Sequence, residues 1–190
     1  TISGLYINDP DGKVAYLGLF GCILEGVKNL KVIDSVIKGG CNCTGGIVGY
    51  AKYAAVTNCT FQGYISNGTS EYLGGVVGCH WGQERTGSVI TDCHFEGTIH
   101  EEIGSPGATY IGGITGYASS NVSGCTVRGT VRDCDSSKGN CKYIGGIVGW
   151  CQGSVTDCIK LDDGIVSSMS AKYVGGVAGC VDVEVKHCFN

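Results

Sequence analysis

Thirteen cysteines in 190 residues are the side chains of this chain best equipped for chemistry. Thiols can pair as disulfides or ligate zinc. A disulfide framework belongs to short secreted domains with an even cysteine count, whereas this chain is longer and its count is odd. Zinc needs two closely spaced Cys or Cys/His pairs, and Cys41-Asn-Cys43 and Cys79-His80 have no second pair to match them. Neither a metal nor another cofactor is expected. Cys59, Cys93, Cys125, Cys158 and Cys188 instead recur at spacings of 34, 32, 33 and 30 residues. A compact, weakly polar residue at one repeated inward position reads as a column of buried free thiols. Cys134 and Cys141 bracket the polar segment 135–140 and are the candidate pair for one disulfide clip.

The remaining candidates sit in connections. Residues 100–109 and 132–142 fall at equivalent places in successive repeats, so they should lie side by side. They bring Glu101, Glu102, Arg132, Asp133 and Asp135 into one candidate ligand-contact patch, against the plainer reading of solvated loops. Trp81, in the connection 80–88, is a candidate for stacking on a sugar. Tyr72, Tyr110, Tyr143 and Tyr173 recur too, either as a structural ring stack or, if outward, as a sugar-binding face. Glycosidic chemistry needs clustered carboxylates. The positions Thr60/His94/Thr126 and Gln62/Glu96/Arg128 supply no carboxylate pair, and no His-Glu-x-x-His, Gly-x-Ser-x-Gly or phosphate-loop motif is present. The expectation is a non-catalytic protein.

A repeat must position all of these. Tyr16-Leu-Gly-Leu-Phe-Gly21 returns with starts at Cys43, Tyr72, Tyr110, Tyr143 and Tyr173, that is 27, 29, 38, 33 and 30 residues apart. A second phrase follows each, as in Val56-Thr-Asn-Cys59, Ile90-Thr-Asp-Cys93 and Val155-Thr-Asp-Cys158. In the middle repeats a third stretch follows, such as Phe61-Gln-Gly-Tyr-Ile65. These pieces alternate apolar and polar residues and break at Gly, Asn, Asp or Ser, which is strand-and-turn chemistry. One such unit cannot bury its apolar face alone, and stacking supplies the core. The fold expected is all-β: a parallel β-solenoid of about six coils, roughly 30 residues each, forming one domain over residues 1–190. Leu17, Leu73, Ile111, Ile144 and Val174 should form an aliphatic column, with the paired glycines letting coils approach the facing wall.

Composition narrows the function classes. Net charge is −4 and the 13 Lys and Arg are scattered, so nucleic acid is not an expected partner. No apolar run reaches the ~20 residues of a membrane helix, and membrane insertion is not expected. Asn190 falls just after a fresh repeat has begun, so the chain is expected to be an excised part of a longer protein with neighbouring domains.

Gly18-Leu-Phe-Gly21 and the five Gly-Gly-aliphatic-x-Gly phrases resemble the GLUG motif, and the opening Thr1-Ile-Ser-Gly-Leu-Tyr-Ile7 is similar to the strand that introduces such arrays. The resemblance implies a secreted or cell-wall-attached bacterial protein, like the adhesin-like proteins and IgA-cleaving metallopeptidases that carry these repeats. It implies a stalk or adhesive role toward a host or cell-surface glycan or protein. The peptidases' zinc motif is absent, so no protease activity carries over. The alternative is a carbohydrate-binding or carbohydrate-active β-helix that uses the long-loop side.

Overall fold

The computed structural model describes residues 1–9, 11–67, 70–82, 86–101, 107–133, 141–161 and 164–190. It is all-β: a parallel β-solenoid of about 5 turns with ~32 residues per turn. The expected six coils correspond to six starts, since three of the four sheets contain six strands.

Each turn visits four walls. The tyrosine wall holds Tyr16–Leu17, Cys43–Gly45, Tyr72–Gly74, Tyr110–Gly112, Tyr143–Gly145 and Tyr173–Gly175. The adjoining wall holds Phe20–Ile23, Val48–Lys52, Val77–Trp81, Thr115–Ala118, Val148–Cys151 and Ala178–Val181. A short wall of two-residue strands follows, from Val27–Lys28 to Val185–Lys186. The long wall includes Lys31–Gly39, Thr60–Asn67, His94–Glu101 and Thr126–Arg132. Pairing is parallel and in register, with Tyr72 on Tyr110, Ile90 on Val122 and Phe95 on Val127.

The second phrase has a conformational reason. Its third residue takes the left-handed turn in every coil: Asn29 (φ 57), Asn58 (φ 49), Asp92 (φ 52), Gly124 (φ 63), Asp157 (φ 54) and His187 (φ 50). Asn, Asp and Gly tolerate that region best. The turn swings the following cysteine inward. Cys59, Cys93, Cys125 and Cys158 are fully buried and free, as the sequence spacing indicates, while Cys188, the fifth of the expected column, is free but only partly buried. Each donates its thiol to the carbonyl two residues back, at 3.3, 3.3, 3.3 and 3.2 Å. A small, weakly polar side chain thus fills the corner and adds a second donor to a carbonyl that already accepts a backbone N–H from the preceding coil.

The paired glycines seat the opposite wall. A Cβ on Gly46 would overlap the Phe61 ring, and one on Gly75 would overlap Phe95. Those rings stack 6.3 Å apart across the coils, with planes 2° from parallel. Leu17, Leu73, Ile111 and Ile144 form the inner column of the tyrosine wall, interrupted by Thr44; Val174 continues it in register but is half exposed, with no further coil stacked on it among the described residues. Thr44 is tied to Ser70 at 2.9 Å, and Ser70 donates to the Cys41 carbonyl at 2.5 Å.

Candidate binding face

Alternation places the residue before each inner aliphatic on the outside. Tyr16, Cys43, Tyr72, Tyr110, Tyr143 and Tyr173 therefore form one outer column. Cys22, Tyr50, Cys79, Tyr117, Trp150 and Cys180 form a second on the adjoining wall. Apolar packing here is separate from the tube's core: Cys43, Cys79 and Tyr117 are buried among Tyr50, Tyr72 and Trp150.

From Tyr72 to Tyr173 the rings stack face to face, at 5.1, 5.3 and 4.9 Å with interplanar angles of 7°, 4° and 7°. The sequence left open whether this column is structural or outward, and it is both. Ring faces cover one another, leaving Tyr72, Tyr110 and Tyr143 half-buried and Tyr173 exposed. Rings of the second column wedge between rungs of the first. Tyr117 lies 5.6 Å from Tyr72 and 6.1 Å from Tyr110, and Trp150 lies 5.7 Å from Tyr110 and 5.5 Å from Tyr143. Tyr50 packs on Tyr16 at 4.9 Å. Offset stacks and edge contacts of this kind stabilise by about 0.5–1.5 kcal/mol each beyond area burial.

Trp81 extends this surface. It is 40% exposed and stacks on Tyr117 at 5.9 Å. The Trp150 indole N–H donates to Asp182 Oδ1 at 2.9 Å, which fixes its ring plane. Burial, then the Cys79 thiol and a neighbouring phenol, pushes the Tyr50 and Tyr117 hydroxyls up to about 12, and Tyr72, Tyr110 and Tyr143 shift the same way, chiefly through burial. The phenols thus stay protonated at ordinary pH, each able to donate and accept. What this wall can do chemically is hold an amphipathic surface through stacked edges and a file of hydroxyls.

The other sequence candidates lie elsewhere. His100 and Arg132 are in-register neighbours, so the ends of these two long-wall strands do sit side by side. Their carboxylates turn inward rather than toward a ligand. Glu101 is buried and accepts the Ala108 N–H, closing its own loop. Asp133 is 6% exposed and accepts from Ser168 Oγ (2.5 Å), Met169 N–H (3.0 Å), Ser170 N–H (3.3 Å) and Ser170 Oγ (2.9 Å). Arg132 is exposed. Glu102, Asp135 and Cys134 lie outside the described residues, so the pairing of Cys134 with Cys141 has no structural account; Cys141 is buried. The structure does not bring Trp81 to Glu101, Arg132 and Asp133: it stands on the wall adjoining the tyrosines.

Cys79 and His80 point to opposite sides of their strand. His80 is buried within the tube, donating from Nε2 to the Ala54 carbonyl (2.9 Å) and accepting at Nδ1 from Ser120 Oγ (3.1 Å). Among the described residues, no group of three His, Cys, Asp or Glu side chains lies together as a metal site would need. Sequence reasoning missed Tyr117, Trp150 and Tyr50 as parts of the face, although each stands directly after the last glycine of a first phrase, in a repeated position.

Residues 40–66, 69–99 and 107–132 match the family described as the GLUG motif. Each match ends at or near the end of a long-wall strand, so one match is one turn of the tube. No curated protein and no solved structure matches the chain.

Proposed function

We propose that this chain, whose residues 40–132 are a GLUG-repeat region, is a non-catalytic stalk of a secreted or cell-wall-attached bacterial protein and presents the aromatic wall as its adhesive face. The observation that carries the reading is the outer double column, in which Tyr72, Tyr110, Tyr143 and Tyr173 stack without a break and Tyr117 and Trp150 wedge between them. Inner columns are required for the tube to close, but outer aromatic columns are not. A contiguous exposed apolar patch is a feature of interaction surfaces. The ladder advances at the coil-to-coil spacing of a parallel sheet, ~4.8 Å. An extended polymer lying along the axis would therefore meet the same hydroxyl and ring edge again and again. Surface glycans have that repetitive, amphipathic character. Among the described residues of the long-loop side, Glu101 and Asp133 are taken up by backbone and hydroxyl donors and lend the enzyme alternative no support.

Affinity electrophoresis of the chain through gels containing soluble polysaccharides tests the face. Retardation by at least one polysaccharide, lost in a Trp81→Ala/Trp150→Ala variant that keeps its melting temperature, is the expected result. Retention with release of shortened glycan would make it an enzyme. Equal migration with and without every polysaccharide, and no adherence to cell-surface protein, would leave only a stalk.

A further inference from the structure

The outer double column is aromatic at Tyr16/Tyr50, Tyr72/Tyr117 and Tyr110/Trp150, pairs that join one coil's tyrosine wall to the next coil's adjoining wall. At the one intervening pair both residues are cysteine: Cys43, in register between Tyr16 and Tyr72, and Cys79, in register between Tyr50 and Tyr117. The strands meet closely there, because a Cβ on Gly78 would lie 2.7 Å from the Thr44 amide nitrogen. Each residue is 3% exposed, and Cys43, Cys79 and Tyr117 are buried together in one cluster.

We propose that Cys43 and Cys79 are a modification site that closes to a disulfide with a low-molecular-weight disulfide oxidant, stapling two successive coils beneath the aromatic face. The inner column differs in direction, not in proximity: Cys59, Cys93, Cys125 and Cys158 are direct in-register neighbours whose thiols also lie near one another, and each donates to its own turn carbonyl. Directly stacked strands also hold paired Cβ–S bonds nearly parallel, far from the ~90° torsion of a disulfide. Cys43 and Cys79 lie diagonally, on strands of different walls, and reach each other from two directions.

The reaction balances with the oxidant alone. One cysteine loses its proton and attacks the reagent's S–S bond, releasing one reagent thiolate and leaving a mixed disulfide. The second cysteine thiolate then attacks the protein sulfur of that mixed disulfide and expels the other reagent thiolate. Two electrons pass to the reagent, and the two protons leave on its two thiols. The contact with Cys79, then burial, pushes the Cys43 thiol up, so closure is slow and waits on local opening of the Tyr50/Tyr72/Tyr117 cover. Closure shuts a 36-residue loop, from 43 to 79, in the unfolded chain. A rise in melting temperature of about 10 °C is expected.

The test incubates the folded chain with oxidised glutathione, traps remaining thiols with iodoacetamide in denaturant, and digests with trypsin. Cleavage after Lys38, Lys52 and Arg85 places Cys43 and Cys79 on separate peptides, 39–52 and 53–85. The expected product is those peptides joined, with fragment ions locating the bond at 43 and 79 in the unsubstituted chain. Cys41→Ser and Cys59→Ser should keep the link, and Cys43→Ser or Cys79→Ser should abolish it. Unlinked peptides, a bond through Cys41 or Cys59, or stable glutathione adducts on Cys43 or Cys79 would overturn the proposal.

Discussion

The ring of Phe95 occupies the place where Gly75 would carry a Cβ. An added methyl at Gly75 would overlap that ring and the carbonyl oxygen of Gly113 in the next coil. The second glycine of the repeated phrase is thus the imprint of an aromatic ring on the opposite wall, and of a backbone one turn along.

Gly75→Ala should therefore destabilise severely, by at least about 3 kcal/mol, because neither the stacked ring nor the backbone oxygen can move aside. Gly21→Ala is the control, since its Cβ would meet one atom, the Tyr16 oxygen, at 3.2 Å. Urea unfolding of the two variants should separate them by a clear shift in midpoint. Equal midpoints would mean the coils are more loosely packed than the geometry shows.

The left-handed turn makes a second prediction. Asn58 sits at φ 49, and its side-chain amide donates to Asn29 Oδ1 at 2.8 Å on the exposed surface. Asn58→Gly should be close to neutral, while Asn58→Val should cost about 1–2 kcal/mol, since a β-branched side chain strains that region. Thermal melts of the pair decide it. A Val variant as stable as Gly would show that the turn has moved.

These two features were legible because repetition exposes them. Asn29, Asn58, Asp92, Gly124 and Asp157 share a place in the repeat, and only the left-handed turn explains that set of residue types. The paired glycines, inner aliphatics and inward cysteines followed from period and alternation in the same way. The fate of Glu101 and Asp133 did not. They look like solvated loop acids, and whether a strand-end carboxylate turns outward or back onto its own connection depends on how that connection closes. The double aromatic column was half legible. Tyr72, Tyr110 and Tyr143 are visible as a column, but their meshing with Tyr117 and Trp150 depends on the stagger between two walls, which no period in one strand encodes.

Asp133 holds the segment 168–170 across one turn of the tube through four hydrogen bonds. Asp133→Ala should free the Met169 amide, raising its hydrogen-exchange rate at least tenfold relative to the Ile144 amide in the core, while the Ser170 amide keeps its bond to Ser168 Oγ. The global cost should be about 2 kcal/mol, in the range of hydrogen bonds to a charged group. Unchanged protection at Met169 would show that the segment is held by something other than this carboxylate.

His80 gives the fold a dependence on pH whose sign is fixed by burial. Desolvation pushes its imidazole from the ordinary 6.5 down to about 4, and the Ala54 carbonyl opposes that only in part. In the folded chain the ring stays neutral from pH 6.5 to about 4, while in the unfolded chain it takes up a proton across that window. The unfolded state then binds more protons, so stability is fully present above pH 6.5, falls as pH drops through the window, and flattens below pH 4. A shift of this size corresponds to at most about 3 kcal/mol. Carboxylates add their own slope, so the informative quantity is the difference between the wild type and His80→Leu, which lacks the titrating ring. Denaturant unfolding at pH 7.5, 5.5 and 4 should show the wild type losing more stability than the variant over that range. Parallel losses in both would mean that His80 is protonated in the folded tube, with its Nδ1 no longer accepting from Ser120.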